Sequence, residues 1–164
     1  MFYQTKIPLN KINDYKNISN NLIEGYTETK NIPTFKGNKK EYLLNKFLDK
    51  LKSIEFDLVE LIKKKINFKN IYSLKAWNCI GSENCYFELH RHNQYSDNKI
   101  ATITYLDVPK GNGGEFYYVE NNDTKKIKPE VGTVLMFSNH LLHGSYPQEK
   151  GIRQTFNMDF EYNA

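Results

Sequence analysis

The chain has 164 residues, a net charge of +4, and 39% hydrophobic and 14% aromatic residues. That composition excludes disorder, and the length allows roughly two thirds of the unfolded surface to be buried around one core. No apolar run approaches the roughly 18 residues of a membrane span, and "MFYQTKIPLNKIND" lacks the basic start and apolar centre of a signal peptide. Two cysteines, Cys79 and Cys85, make no secreted disulfide framework, so a cytoplasmic location is expected, or a host cytoplasm for a viral protein. Abundant Asn, Lys, Ile and Tyr indicate an AT-rich genome, such as that of a virus or a streamlined microbe.

In chain order, residues 1–35 mix short apolar runs with Asn and Pro and read as one or two strands with irregular chain. From about Lys39 to Ile66 the pattern is helical. Leu44, Phe47, Leu48 and Leu51, then Leu58, Leu61 and Ile62, follow the i, i+3, i+4 spacing of one buried stripe. A break near Ser53 divides this into two helices. The basic "LIKKKINFK" closes the pattern where lysines complement the helix dipole, which argues for a solvated helix end and against nucleic-acid binding.

After residue 70 the period changes to two. "IYSLKAWNCI", "CYFELHRH", "IATITYLDV", "GEFYYVEN", "KIKP", "TVLMFS" and "RQTFNMDF" read as strands, separated by turn-rich "PKGNGG", "ENNDT" and "EVG". Helices followed by many short strands predict an α+β fold: a double-stranded β-helix, the cupin-like jelly roll, buttressed by N-terminal helices. A single domain is expected, with residues 1–70 as strand and helix support and 71–164 as the jelly-roll core.

The chain has only four histidines. His90 and His92 are two apart on a predicted strand and therefore share a face, with Glu88 beside them and Leu89 and Arg91 opposite. Each ring carries a polar nitrogen that must be satisfied, either as a surface or hydrogen-bonded pair or by a metal. His140 and His143 lie in a predicted short loop about fifty residues on. A same-strand pair with one histidine from a distant strand supplies three ligands on one side of an ion. Of 23 basic residues only Arg91 and Arg153 are arginine. A lysine-rich chain that keeps arginine here points to bidentate carboxylate binding.

From about Trp77 to Phe160 the sequence resembles the iron(II)- and 2-oxoglutarate-dependent oxygenases, and within them the branch, with phage members, whose motif reads H-x-H rather than H-x-D. The matching pieces are "LHRH", "ITYLDVPKGNGGEFYYV", "IKPEVGTVLMFSNHLLHGSYP" and "GIRQTFN". The resemblance implies His90, His92 and His143 as iron(II) ligands and Arg153 as the partner of the far carboxylate of 2-oxoglutarate. It also places Thr155 and Tyr105 at the co-substrate, with O2 as the second co-substrate. Hydroxylation of a small molecule, peptide or protein, with succinate and CO2 as products, is the implied activity.

The departure from that family is His92, since three neutral ligands leave the site one negative charge short. Glu88 on the same strand face or Asp97 in the following loop could repair the deficit. Asp97 also fits the cupin pattern of H-x-H, an acidic residue and a distal histidine. Two other readings therefore stay open: a three-histidine cupin dioxygenase that does not use 2-oxoglutarate, and a non-catalytic metal-binding jelly roll. His140 reads as a loop residue at the site mouth, Glu115 as a strand start, and Cys79 and Cys85 as thiols without a role.

Overall fold

A computed structural model describes residues 1–23, 28, 32–92 and 97–164. Two antiparallel sheets face each other. The six-stranded sheet has the order β1-β9-β6-β11-β4-β3 and the five-stranded sheet β2-β5-β10-β7-β8. The larger comprises β1 (Phe2–Lys6), β3 (Lys39–Leu43), β4 (Asn70–Gly81), β6 (Lys99–Asp107), β9 (Thr133–Ser138) and β11 (Arg153–Asn163). The smaller comprises β2 (Phe35–Lys36), β5 (Tyr86–His90), β7 (Phe116–Glu120), β8 (Asp123–Ile127) and β10 (His143–Ser145). This is the expected double-stranded β-helix of the α+β class. No helix among the described residues is long and apolar enough to cross a membrane.

Side-chain alternation along the central strands produces two distinct faces. On β11, Phe156, Met158 and Phe160 point to one side and join Ile100, Leu106, Val134 and Met136. Two helices, α1 (Leu9–Ile23) and α2 (Lys52–Lys63), close over this face, contributing Ile12, Tyr15, Ile54, Leu58 and Ile62. The opposite face of the same strands looks into the space between the sheets. Leu58 is fully buried in the helix-side core. Leu58→Ala is expected to lower unfolding stability by about 2–5 kcal/mol through lost transfer energy and the cavity left behind, measured by denaturant unfolding with an unchanged slope.

Four local readings of the sequence are corrected by the structure. Residues 9–23 form α1 rather than strand or irregular chain. Its five asparagines favour caps and turns over helix interiors, but Ile12, Tyr15 and Ser19 make a buried stripe that outweighs propensity. The irregular chain expected at 24–27 and 29–31 lies outside the described residues. Residues 39–43 are strand, not helix: β3 pairs with β4 from Lys39↔Gly81 to Leu43↔Trp77. Helical structure begins with a 3₁₀ segment at Asn45–Leu51 and passes to α2 at Lys52, with Phe47 in non-helical conformation, so the break falls slightly before Ser53.

The two remaining corrections bear on the site. His143 stands in a strand, because the three residues of β10 are clamped between β5 and β7; so short a run shows no periodicity. Glu88 does not share the inner face with His90. The pairs His143↔His90 and Ser145↔Phe87 leave Glu88 and Leu89 both opposite Gly144, which is a β-bulge. The extra residue turns Phe87 and His90 inward together and Glu88 out to solvent, where its carboxylate lies 4.0 Å from Lys36 Nζ.

Candidate metal centre

His90 closes β5, His143 opens β10 directly across from it, and His92 follows two residues later in the chain. One ligand atom from each lies within 4.8 Å of the other two. Ring centroids are 4.3 Å apart for His90 and His143, 5.2 Å for His92 and His143, and 5.8 Å for His90 and His92.

The Nδ1 atoms show which way the rings are used. His90 Nδ1–H donates to the Glu88 carbonyl at 2.7 Å and His143 Nδ1–H to the Leu141 carbonyl at 2.8 Å. Since a carbonyl only accepts, the proton resides on Nδ1 and the Nε2 lone pair of each ring is free. His92 has Nδ1 beside a carboxylate oxygen of Asp159, at 3.4 Å. Burial holds the His143 pKa well below its ordinary value, with the neighbouring His90 and His92 acting in the same direction. Burial also lowers that of His90, opposed by the Glu88 carbonyl. With Nδ1–H of His90 and His143 bonded to carbonyls, their Nε2 atoms are left as donors, and three imidazoles this close together are a donor set that a divalent transition metal accepts, so the residues fit such an ion.

Gly144 makes this geometry possible. A Cβ there would stand 2.7 Å from the Phe87 carbonyl oxygen and 2.5 Å from the Tyr117 hydroxyl. Gly144→Ala is expected to force β5 away from β10, cost about 1–3 kcal/mol as overpacking does, and weaken metal binding by separating His90 from His143. Thermal unfolding and metal titration of the variant measure both effects.

A cavity of about 240 Å³ opens from the histidines and is walled by Trp77, Phe87, Ile103 and Phe116 among others. Arg153, Thr155 and Tyr105 line the same cavity. Arg153 is only 3% exposed. One guanidinium nitrogen donates to Ser145 Oγ at 2.8 Å and another to Cys85 Sγ at 3.4 Å, with the Phe87 ring centroid 5.5 Å from Cζ. Both partners are neutral, and burial pushes the Cys85 thiol up despite the arginine. No carboxylate lies within ion-pair distance of Arg153 among the described residues. Thr155 and Tyr105 are register partners on β11 and β6. Burial pushes the Tyr105 phenol up to about 12, against the pull of Arg153, so it remains a hydrogen-bond donor at neutral pH.

The other candidates fall outside the cluster. Asp97 has a side chain 97% exposed and pairs at 3.1 Å with His140 Nε2; neither reaches the three rings. Glu115 faces Lys128 at 3.9 Å and does not line the cavity. Cys79 is buried near Glu41 Oε2, at 3.7 Å, and Cys85 lies under Arg153. Arg91 is exposed. Cavity residues that sequence reasoning missed include Glu41, Lys75, Ser145 and Asn157. Alternation from Thr155 would have reached Asn157, but Glu41 and Lys75 become neighbours only through the register of β3, β4 and β11.

No protein-family model and no curated protein sequence matches this chain. Solved structures do match over nearly its whole length. A prolyl-4-hydroxylase from Pseudomonas putida superposes with a TM-score of 0.72 at 11% identity, covering 99% of this chain and 93% of that one. HygX from Streptomyces hygroscopicus, with nickel and 2-oxoglutarate bound, gives 0.75 at 14%, covering 98% and 82%. An oxidoreductase of the 2OG-Fe(II) oxygenase family from Burkholderia pseudomallei gives 0.73 at 10%, covering 99% and 87%. The chain therefore has the double-stranded β-helix fold of 2-oxoglutarate- and iron(II)-dependent oxygenases.

Proposed function

We propose that this protein is an iron(II)- and 2-oxoglutarate-dependent dioxygenase that hydroxylates an unidentified substrate and releases succinate and CO2. The observation that carries the reading is Arg153: a buried guanidinium, satisfied among the described residues only by neutral groups, in the cavity that the three clustered imidazoles line. A buried cation without a counter-charge is costly, and a dicarboxylate seated there would remove that cost. A binding module or cupin dioxygenase that takes no anionic ligand would leave this arginine without a partner, whereas 2-oxoglutarate supplies one.

His90, His92 and His143 would hold the metal through Nε2, and iron(II), when bound, supplies the activation of O2 and the oxidative decarboxylation of 2-oxoglutarate. The chain's own residues do the rest. Arg153 takes the far carboxylate in a charge-assisted, bidentate pair, with Ser145 and Cys85 fixing the plane of the guanidinium. The Thr155 and Tyr105 hydroxyls line the same seat, and Tyr105 stays protonated, so it adds no repelling charge. Trp77, Ile103 and Phe116 exclude water from the reacting region. The half-buried Trp77 and the exposed Leu43 and Lys75 form the cavity's outer rim, where a substrate would approach. Small molecules and peptides are both plausible in size: a structure of HygX carries hygromycin B, and a Trichoplax adhaerens prolyl hydroxylase carries a peptide fragment.

Succinate formation by the purified protein with iron(II) and 2-oxoglutarate, alone and with candidate substrates, tests the proposal. Formation that depends on both iron(II) and Arg153 supports it. Tight metal binding with no 2-oxoglutarate turnover or binding would sink it.

A further inference from the structure

We infer that Asp159 is the charge-compensating partner of the three-histidine cluster: its carboxylate accepts the Nδ1–H of His92, keeps that ring's Nε2 turned to the metal, and supplies the negative charge that an H-x-H pair lacks. The inference rests on the metal-centre reading above. Asp159 is 3% exposed on β11, on the inner face that also carries Arg153, Thr155 and Asn157. Its Oδ2 lies 3.4 Å from His92 Nδ1. Asp159 Oδ1 and His92 Nδ1 are both buried without a hydrogen-bond partner. The unpartnered His92 Nδ1 thus stands beside a carboxylate whose other oxygen is also unpartnered, and a small turn of the His92 ring joins the two groups.

Among the described residues nothing else nearby answers the carboxylate. Lys75 is its register partner on β4, but the Lys75 ammonium sits over the Trp77 ring, 4.4 Å from the centroid. Among the described residues no lysine or arginine comes within ion-pair distance of Asp159. An unpaired buried carboxylate is costly in a metal-free protein. A divalent cation on the far nitrogen of His92 makes Nδ1–H a stronger donor, as in carboxylate–histidine–metal arrangements. The resulting set of three neutral ligands and one carboxylate behind them carries the charge of a two-histidine, one-carboxylate site, with the anion displaced by the width of an imidazole. His90 and His143 donate Nδ1–H to backbone carbonyls instead, so among the three rings only His92 has an anion to lean on.

Zinc(II) is a suitable probe because it is diamagnetic and needs no oxygen control. The full-length protein should bind about one zinc(II) per chain. Asp159→Asn, which keeps the shape and removes the charge, should bind zinc(II) about 10–100-fold more weakly, the range seen when such partners are altered. The metal-free variant should melt no lower than wild type, because a buried unpaired charge has been removed. In the zinc-loaded wild type, ¹⁵N-resolved NMR of His92 should place its proton on Nδ1, with a downfield shift that moves upfield in the variant.

Affinity within twofold of wild type, or a His92 proton found on Nε2 in the wild type, overturns the inference. A lower metal-free melting temperature with unchanged affinity would make Asp159 a packing residue only. Loss of binding as complete as in His143→Ala would make it a ligand in its own right, which also overturns a positioning role. No stoichiometric binding by the wild type overturns the metal-centre reading itself, an outcome distinct from all of these.

Discussion

Arg153→Ala is expected to weaken 2-oxoglutarate binding to the metal-loaded protein by about 30-fold or more. Removing one partner of a buried, hydrogen-bonded charge pair commonly costs about 3–5 kcal/mol, and a pocket partly open to water reduces that to about 2–3 kcal/mol. At about 1.4 kcal/mol per decade the lower figure already exceeds a 20-fold change. Arg153→Lys should recover part of the loss, because an ammonium restores the charge but not the planar fork. Metal affinity should change little in either variant, since the guanidinium is bonded to Ser145 and Cys85. Arg91→Ala is the control: that residue is exposed, and its loss should leave co-substrate binding within about twofold. Calorimetric titration of the nickel-loaded proteins decides the point, and equal affinities for wild type and Arg153→Ala would remove the reason for preferring an oxygenase.

His143→Ala is expected to abolish stoichiometric metal binding while leaving the fold intact. His143 is 3% exposed and is the ring nearest to both of the others, so two remaining donors cannot enclose the ion on one side. The protein should still fold, because the helix-side core of Leu58, Phe156 and Phe160 lies on the other face of the large sheet. His140→Ala and Asp97→Asn should bind metal as wild type does, since those two residues pair with each other at 3.1 Å away from the cluster. Metal content after gel filtration, with circular dichroism on the same samples, separates these outcomes. Loss of binding in Asp97→Asn would restore the cupin assignment.

What the sequence revealed follows from which physical signals are local. Strands β4, β6, β9 and β11 were legible because each is long enough to show alternation, and the position of Arg153 ten residues after His143 follows from a spacing. β10 was not legible, because three residues carry no period and its strand character comes entirely from its neighbours. β3 was misread because "KKEYLLNKF" has good helix formers, and pairing with β4 overrides them. The bulge opposite Gly144 depends on a register that no single strand encodes, so Glu88 was placed on the wrong face. Asp159 went unnoticed for a related reason. It follows the arginine on the same strand face, yet only the folding of β11 beside the chain after β5 brings it to His92.

The uninterrupted alternation of β11 has a practical consequence for variation. Two texts are interleaved in it: Gln154, Phe156, Met158 and Phe160 face the scaffold side, while Arg153, Thr155, Asn157 and Asp159 face the chemistry. A scan of single substitutions along this segment should show losses of melting temperature and losses of ligand affinity taking turns, residue by residue. A one-residue deletion within it would swap the two readings and destroy both. Length changes should therefore be purged from this strand even where many individual replacements are tolerated.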